Sequence, residues 1–226
     1  GGGGEGDRLI GIEGVEGSAF GDTLSGDDGA DWIGGGAGGD RIDGRGGDGL
    51  LVGGGGADTL IGGAGFDSAD YAGSGVAVTV DLVAGTGTGG DAQGDRLQGV
   101  ERLIGSGFGD VLTGDSFGNV LIGGAGADRL TGGAGIDTAD YSASGAAVNA
   151  VLGGTGSGGD AQGDVLTGIE NLVGSGFGDV LVGDGAANAL SGGAGDDRLA
   201  GKGGADRLDG GAGIDIADFS TSASAV

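Results

Sequence analysis

The sequence predicts an all-β chain wound as a thin parallel solenoid, and three observations carry that prediction. Fifteen nine-residue units run in phase, and the first position of every unit is Gly. The eighth position is Leu or Ile in twelve units, and Ala (Ala69, Ala139, Ala217) closes each array. The sixth position is Asp in twelve units, the exceptions being Gly49, Asn119 and Asn188. The arrays occupy residues 17–70, 105–140 and 174–218, and the first reads GSAFGDTLS, GDDGADWIG, GGAGGDRID, GRGGDGLLV, GGGGADTLI, GGAGFDSAD.

Composition alone points elsewhere. The 226 residues include 68 Gly and no Pro, Cys, Met or His, and 34 acidic against 9 basic residues give a net charge of −25. Such a chain would ordinarily be a self-repelling linker, since Gly loses the most entropy on ordering. A collagen-like fibre is excluded because Gly does not recur every third residue and Pro is absent. One Trp, two Tyr and six Phe are too few for an ordinary globular core. A disordered linker has no reason to keep an apolar residue in phase, so the repeat decides for order once the acidic groups are neutralised.

Each unit divides in two. G-G-x-G-x-D forms a turn, because Gly tolerates positive φ and lets backbones approach. The three residues x-U-x, with U apolar, form a short strand whose middle side chain points inward. Two units close one coil, and coils stack by parallel ladder bonds at roughly 4.8 Å, so fifteen units extend on the order of 36 Å before inserts. One Leu per strand makes a core too thin to offset the ordering of so much Gly. The turns must supply the rest. Stacked turns lie two units apart, which brings Asp40 and Asp58 together. Carboxylates and exposed Gly carbonyls make an all-oxygen cage suited to a hard divalent cation. Calcium is favoured over magnesium because the ligands are many, anhydrous and flexible. Zinc is disfavoured without His or Cys.

Two related inserts, 71–104 and 141–173, separate the arrays. Each opens on alternating apolar residues (Val76, Val78, Val80, Leu82; Val148, Ala150, Leu152), which read as a half-buried strand. Each passes through GGDAQGD and ends in a lead-in, DRLQGVERLIGSGFGD at 95–110 and DVLTGIENLVGSGFGD at 164–179. The first array has the matching lead-in at 7–22, so the chain is three copies of one block. Residues 218–226 align with 140–148, and Gly1 with Gly89, so both ends fall inside a block, as expected for a piece of a longer array. The whole of 1–226 is read as one continuous repeat region.

Charge and composition exclude several functions. A polyanion repels nucleic acid and anionic lipid and offers no basic patch. No apolar run is long enough for a transmembrane segment. Without His or Cys the usual nucleophilic triads are ruled out, and no glycine string sits in a strand-to-helix phosphate loop. The chain is read as no enzyme.

These units resemble RTX repeats, the hemolysin-type calcium-binding nonapeptide GGxGxDxUx, over nearly the whole chain. The resemblance implies a right-handed parallel β-roll, a β-helix or solenoid, with each calcium between turn n and turn n+2. It implies ligands from the carbonyls of positions 2 and 4 and the Asp of position 6 of the first turn. The second turn supplies the carbonyls of positions 1 and 3 and its own Asp. One implied site is Gly36, Gly38, Asp40 with Gly53, Gly55, Asp58; another is Gly193, Gly195, Asp197 with Gly210, Ala212, Asp215. Asp22 with Asp40, Asp110 with Asp128, and Asp179 with Asp197 add three. Asn119 with Asp137 and Asn188 with Asp206 lose one charge each, which Asp115 and Asp184 at position 2 are placed to restore. Asp31 with Gly49, and Gly49 with Asp67, lack a ligand and are expected to be vacant or weak. The inserts interrupt the pairing. Seven to nine ions would add +14 to +18 against −25, so the calcium-free chain is expected to be largely unfolded. Extracellular sites of this kind bind at about 10⁻⁴ to 10⁻³ M. The resemblance therefore implies a secreted or cell-surface, extracellular protein that folds on meeting calcium, exported by type I secretion. Its partners would be calcium ions and other copies or domains of a surface assembly; the alternative is the non-catalytic C-terminal tail of a secreted protease, lipase or epimerase.

Other recurring residues carry weaker expectations. Arg41, Arg129, Arg198 and Arg207 at position 7 are read as screening the acidic turns. Phe20, Phe108 and Phe177 are read as covering junctions with the inserts, Trp32 as facing outward, and Glu13, Glu101 and Glu170 as calcium ligands or turn-bonding carboxylates.

Overall fold

The computed structural model describes residues 12–220. Residues 7–11 of the first lead-in, the Gly1 alignment and the tail from 221 lie outside them.

Strands form where the repeat places x-U-x. Thr23–Ser25, Arg41–Asp43 and Thr59–Ile61 lie on one face; Trp32–Ala37, Leu50–Gly55 and Ser68–Asp70 lie on the other. Pairing is parallel and in register by two units, Thr23 against Arg41 and Arg41 against Thr59. The chain thus alternates between two faces, and every position-8 residue lies over its equivalent in the next coil.

One face is a continuous ten-stranded sheet from Gly14–Glu16 to Arg207–Ala212 among the described residues, or roughly 43 Å at the usual strand spacing. It runs straight through both inserts because the lead-ins are themselves coils. Arg102–Ile104 pairs with Ser68–Asp70 on one side and Val120–Ile122 on the other. Asn171–Val173 does the same between Thr138–Asp140 and Ala189–Ala194.

The opposite face takes up the extra residues. After Ser68–Asp70 the chain lays down three strands there instead of one. Thr79–Asp81 pairs in parallel with Val111–Thr113, Thr86–Thr88 runs antiparallel beside it, and Arg96–Gln98 pairs in parallel with Thr59–Ile61. In the second insert the flanking strands are Asn149–Val151 and Val165–Thr167, with antiparallel bridges Asn149–Ser157 and Thr155–Val165 between them. The predicted alternating strand is shorter than its pattern: Val78 and Val80 are buried, but Val76 is 56% exposed. The chain joins the stack only at Val78, whose N–H donates to Asp110 Oδ1 at 2.7 Å.

The core is the two facing columns of position-8 side chains. Ile33, Leu51, Leu103, Leu121, Leu172 and Leu190 line one face, and Ile42, Leu60, Leu112, Leu130, Leu181 and Leu199 the other, all at most 2% exposed. Each such side chain contributes about 1.5–3 kcal/mol. Ala69 and Ala139 occupy the coils that carry the inserts, and two residues later Tyr71 and Tyr141 are buried instead.

Candidate metal centres

The turns stack along two edges, and each acidic side chain reaches back one coil. Asp22 N–H donates to Asp40 Oδ1 at 2.7 Å, Asp40 N–H to Asp58 Oδ1 at 2.8 Å, and Asp58 N–H to Asp95 Oδ1 at 2.8 Å. On the other edge Gly49 N–H donates to Asp67 Oδ1 at 2.8 Å and Asp67 N–H to Glu101 Oε2 at 2.9 Å. The second block repeats both ladders, Asp110 to Asp128 to Asp164 and Asn119 to Asp137 to Glu170. The third has Asp179 to Asp197 to Asp215 and Asn188 to Asp206.

The inserts break the eighteen-residue spacing, as expected, but they do not end the ladders. Asp58 and Asp95 are 37 residues apart and Asp67 and Glu101 are 34 apart, yet they pair as array neighbours do. Asp95 and Asp164 carry no repeat signature and escape a search by spacing. Their other oxygens accept the Tyr71 and Tyr141 hydroxyls, each at 3.0 Å.

The second carboxylate oxygen divides the turns into two kinds. Oδ2 of Asp40, Asp58, Asp67, Asp128, Asp137 and Asp197 is buried and has no hydrogen-bond partner. In each of these six turns position 2 is a Gly at positive φ, from 82° at Gly54 to 113° at Gly63. Where position 2 is Ser or Asp, its N–H turns inward and closes the turn on its own acid. Ser18, Ser106 and Ser175 donate to Oδ2 of Asp22, Asp110 and Asp179 at 2.6, 2.6 and 2.5 Å. Asp27 donates to Asp31 Oδ2 at 2.8 Å, and Asp115 and Asp184 to Oδ1 of Asn119 and Asn188 at 2.7 and 2.9 Å. Each array thus opens with two closed turns. Arg45 and Lys202 occupy position 2 at φ 64° and 66°, the two non-glycine residues with positive φ among those described.

The invariant first Gly has a steric cause. A Cβ on Gly105 would lie 2.5 Å from Asp110 Oδ2 and 2.6 Å from the Gly123 carbonyl of the next coil. The same clash recurs at Gly35, where the Gly53 carbonyl is 2.7 Å from the Cβ position. At the open turns of Asp40, Asp67, Asp137 and Asp197 a carboxylate oxygen and a carbonyl oxygen crowd the first Gly together, with no room for a side chain. The Gly36 and Gly38 carbonyls abut Gly54 and Gly56 of the following turn, and the Gly55 carbonyl accepts the Gly38 N–H at 2.7 Å with one lone pair to spare. Among the described residues no three acidic side chains converge. Each gap offers two carboxylates at most, with carbonyls around them, a donor set for a hard oxygen-seeking cation.

The model of the RTX calcium-binding nonapeptide repeat matches residues 16–51, 35–69, 104–139, 164–199 and 182–217. The chain belongs to the RTX repeat family. It is a calcium-binding structural repeat module, all-β, and the buried, unpartnered Asp oxygens fit the ion that the family binds. No curated protein matches the chain.

The electrostatics of the RTX edges follow from burial. Loss of hydration pushes Asp128 up to about 8 and Asp95 and Asp164 up to about 6, reinforced by neighbouring carboxylates. The same cause raises Asp58, Asp67, Asp137, Asp197 and Glu101. A bound divalent cation reverses this balance by supplying the missing charge.

Other sequence expectations meet mixed outcomes. Three of the four position-7 Arg residues pair with an Asp at position 9: Arg41 and Arg207 with Asp43 and Asp209 at 3.6 and 2.8 Å, and Arg198 with Asp218 at 2.7 Å. These are exposed pairs of little energetic weight. Phe20, Phe108 and Phe177 do not cover junctions; they are 78%, 47% and 47% exposed, because position 4 lies on the outer bend of the turn. Trp32 faces outward, with its ring against Gly34. Asp115 and Asp184 hold Phe117 and Ala186 N–H with Oδ1, each at 2.8 Å, and so are directed into their own turns.

Proposed function

We propose that this module folds by placing calcium ions in the gaps between open turns of its nonapeptide arrays, and that it works outside the cell as a scaffold of a secreted or surface protein. The observation that carries this reading is the set of six buried Asp oxygens without a partner. Burying an unpaired carboxylate costs several kcal/mol, and here the arrangement recurs in every block. The gaps Asp40–Asp58 and Asp197–Asp215, with the Gly36, Gly38, Gly53, Gly55 and Gly193, Gly195, Gly210, Ala212 carbonyls, are the array sites the reading favours. Gaps after the closed turns (Asp22–Asp40, Asp31–Gly49, Asp110–Asp128, Asn119–Asp137, Asp179–Asp197 and Asn188–Asp206) already have an N–H on the position-6 side chain and are assigned weaker binding. Calcium supplies positive charge to carboxylates that otherwise repel across a thin core. At cytosolic calcium the chain remains export-competent and disordered; at the millimolar calcium of the outside it orders, a sequence suited to type I secretion.

The test is circular dichroism during a calcium titration, with magnesium as the control. The expected result is a cooperative gain of β-structure with calcium and little with magnesium. An equally folded chain in chelator, or an equal response to magnesium, overturns the reading. Within it, Asp40→Ala should cost more calcium affinity than Asp31→Ala, because Asp40 sits in an open turn and also accepts the Asp22 N–H.

A further inference from the structure

We infer that the three-residue lead-in turns Gly99–Glu101 and Gly168–Glu170 complete two additional divalent-cation sites, with Glu in the place an array site gives to Asp. The inference rests on the calcium reading above and extends it to the inserts, where no nonapeptide pairing exists.

The geometry is built twice. Glu101 stands one residue before its strand, as Asp67 does, because Arg102 pairs with Ser68. Its Oε2 accepts the Asp67 N–H at 2.9 Å, which holds the Glu101 carboxylate beside the Asp67 turn. Asp67 is 1% exposed and its Oδ2 has no partner. That oxygen is directed into the gap below the short turn: a Cβ on Gly62 would lie 2.7 Å from it and would also strike the Gly99 carbonyl. The Gly63 carbonyl approaches from the other side, 3.6 Å from where a Cβ on Gly99 would stand. In the second insert Asp137 is fully buried with Oδ2 unpartnered, and Glu170 Oε2 accepts its N–H at 2.9 Å. A Cβ on Gly132 would lie 2.6 Å from Asp137 Oδ2 and strike the Gly168 carbonyl, and the Gly133 carbonyl is 3.4 Å from a Cβ on Gly168.

Each gap therefore gathers two carboxylates and two carbonyls, all oxygen, with a buried anionic atom that nothing else in the fold satisfies. That is an incomplete calcium shell with room for water, and it is poorly matched to a compact octahedral magnesium site. Val100 and Ile169, both 4% exposed, fill the interior behind the short turns, so the turn can lack three residues without opening the core. These two sites carry the ion ladder of this edge into both inserts and tie each array to the next.

The test counts ions by native mass spectrometry at saturating calcium, with circular dichroism alongside. Glu101→Gln and Glu170→Gln keep an oxygen for the Asp67 and Asp137 N–H groups, so the fold is retained. Each is expected to lose one calcium from the wild-type count, and the double variant two. A folded variant with the full count overturns the inference while leaving the array sites standing; a wild-type chain that binds no calcium overturns the parent reading instead. If a variant fails to fold, anomalous scattering from wild-type crystals loaded with terbium decides. A peak between Asp67 and Glu101 supports the site, and an empty gap beside filled array gaps overturns it.

Discussion

Ser175 and Asp179 form a closed turn: the Ser N–H and hydroxyl donate to the carboxylate at 2.5 and 2.8 Å. One coil on, Gly193 takes φ 103° and Asp197 Oδ2 is left buried without a partner. The two turns share a spacing and a strand register, so the residue at position 2 sets the difference. Removing the serine should convert one kind into the other. Ser175→Gly is expected to free Asp179 Oδ2 and raise the number of bound calcium ions by one in native mass spectrometry. An unchanged count would show that position 2 does not control the turn.

Arg45 and Lys202 adopt the open conformation without being Gly, at φ 64° and 66°. Left-handed backbone costs an ordinary residue about 1 kcal/mol, partly offset by the greater freedom Gly has when unfolded. Arg45→Gly and Lys202→Gly should leave the melting temperature in saturating calcium unchanged or slightly raised. Arg45→Val should lower it, because a β-branched residue is least tolerant of positive φ. A lower melting temperature for the Gly variants than for the Val variant contradicts the assignment.

Protons should partly stand in for calcium. Asp128, Asp95 and Asp164 are pushed by burial to about 8, 6 and 6, against 3.8 for an unperturbed Asp. Between about pH 4 and 8 the folded calcium-free chain holds protons that the unfolded chain has released. Its stability is therefore present at the acid end of that window and lost as pH rises through the folded values. Dialysed, calcium-free protein should show more β-structure by circular dichroism at pH 5 than at pH 8. The calcium midpoint should move the other way, rising as pH falls, because protons compete for the same oxygens. A calcium-free chain more ordered at pH 8 than at pH 5 would rule this out.

Tyr71 and Tyr141 anchor the inserts through single hydroxyl bonds to Asp95 and Asp164. Tyr71→Phe leaves Asp95 Oδ2 buried without its donor and should cost about 1–3 kcal/mol in calcium-saturated denaturant unfolding. A loss near zero would mean that water or an ion replaces the hydroxyl.

Much of this was legible from residue spacing. The in-phase Leu of position 8 fixed which side chains fill the core, and the two-unit offset fixed which turns stack, Asp40 against Asp58. The short range of the repeat is the reason: one coil is two units, so local pattern and tertiary contact coincide. Where a coil contains an insert, that coincidence fails. Asp95 and Glu101 meet Asp58 and Asp67 only because three strands occupy one face while the other face advances by one. The outward position of Phe108 is absent from the spacing for a related reason, since a turn's inner and outer sides are set by stacking and not by composition.

The sequence by itself determined the β-solenoid, its period, its core column and the kind of cation its oxygens suit. Tertiary structure decided what meets across the inserts and how deeply the open turns are buried. Gly at position 2 marks an open turn, because at positive φ it leaves the second Asp oxygen bare, but that oxygen is cut off from water only by the coils packed against it. Asp95 and Glu101 reach Asp58 and Asp67 across 37 and 34 residues, and no local pattern contains those pairings.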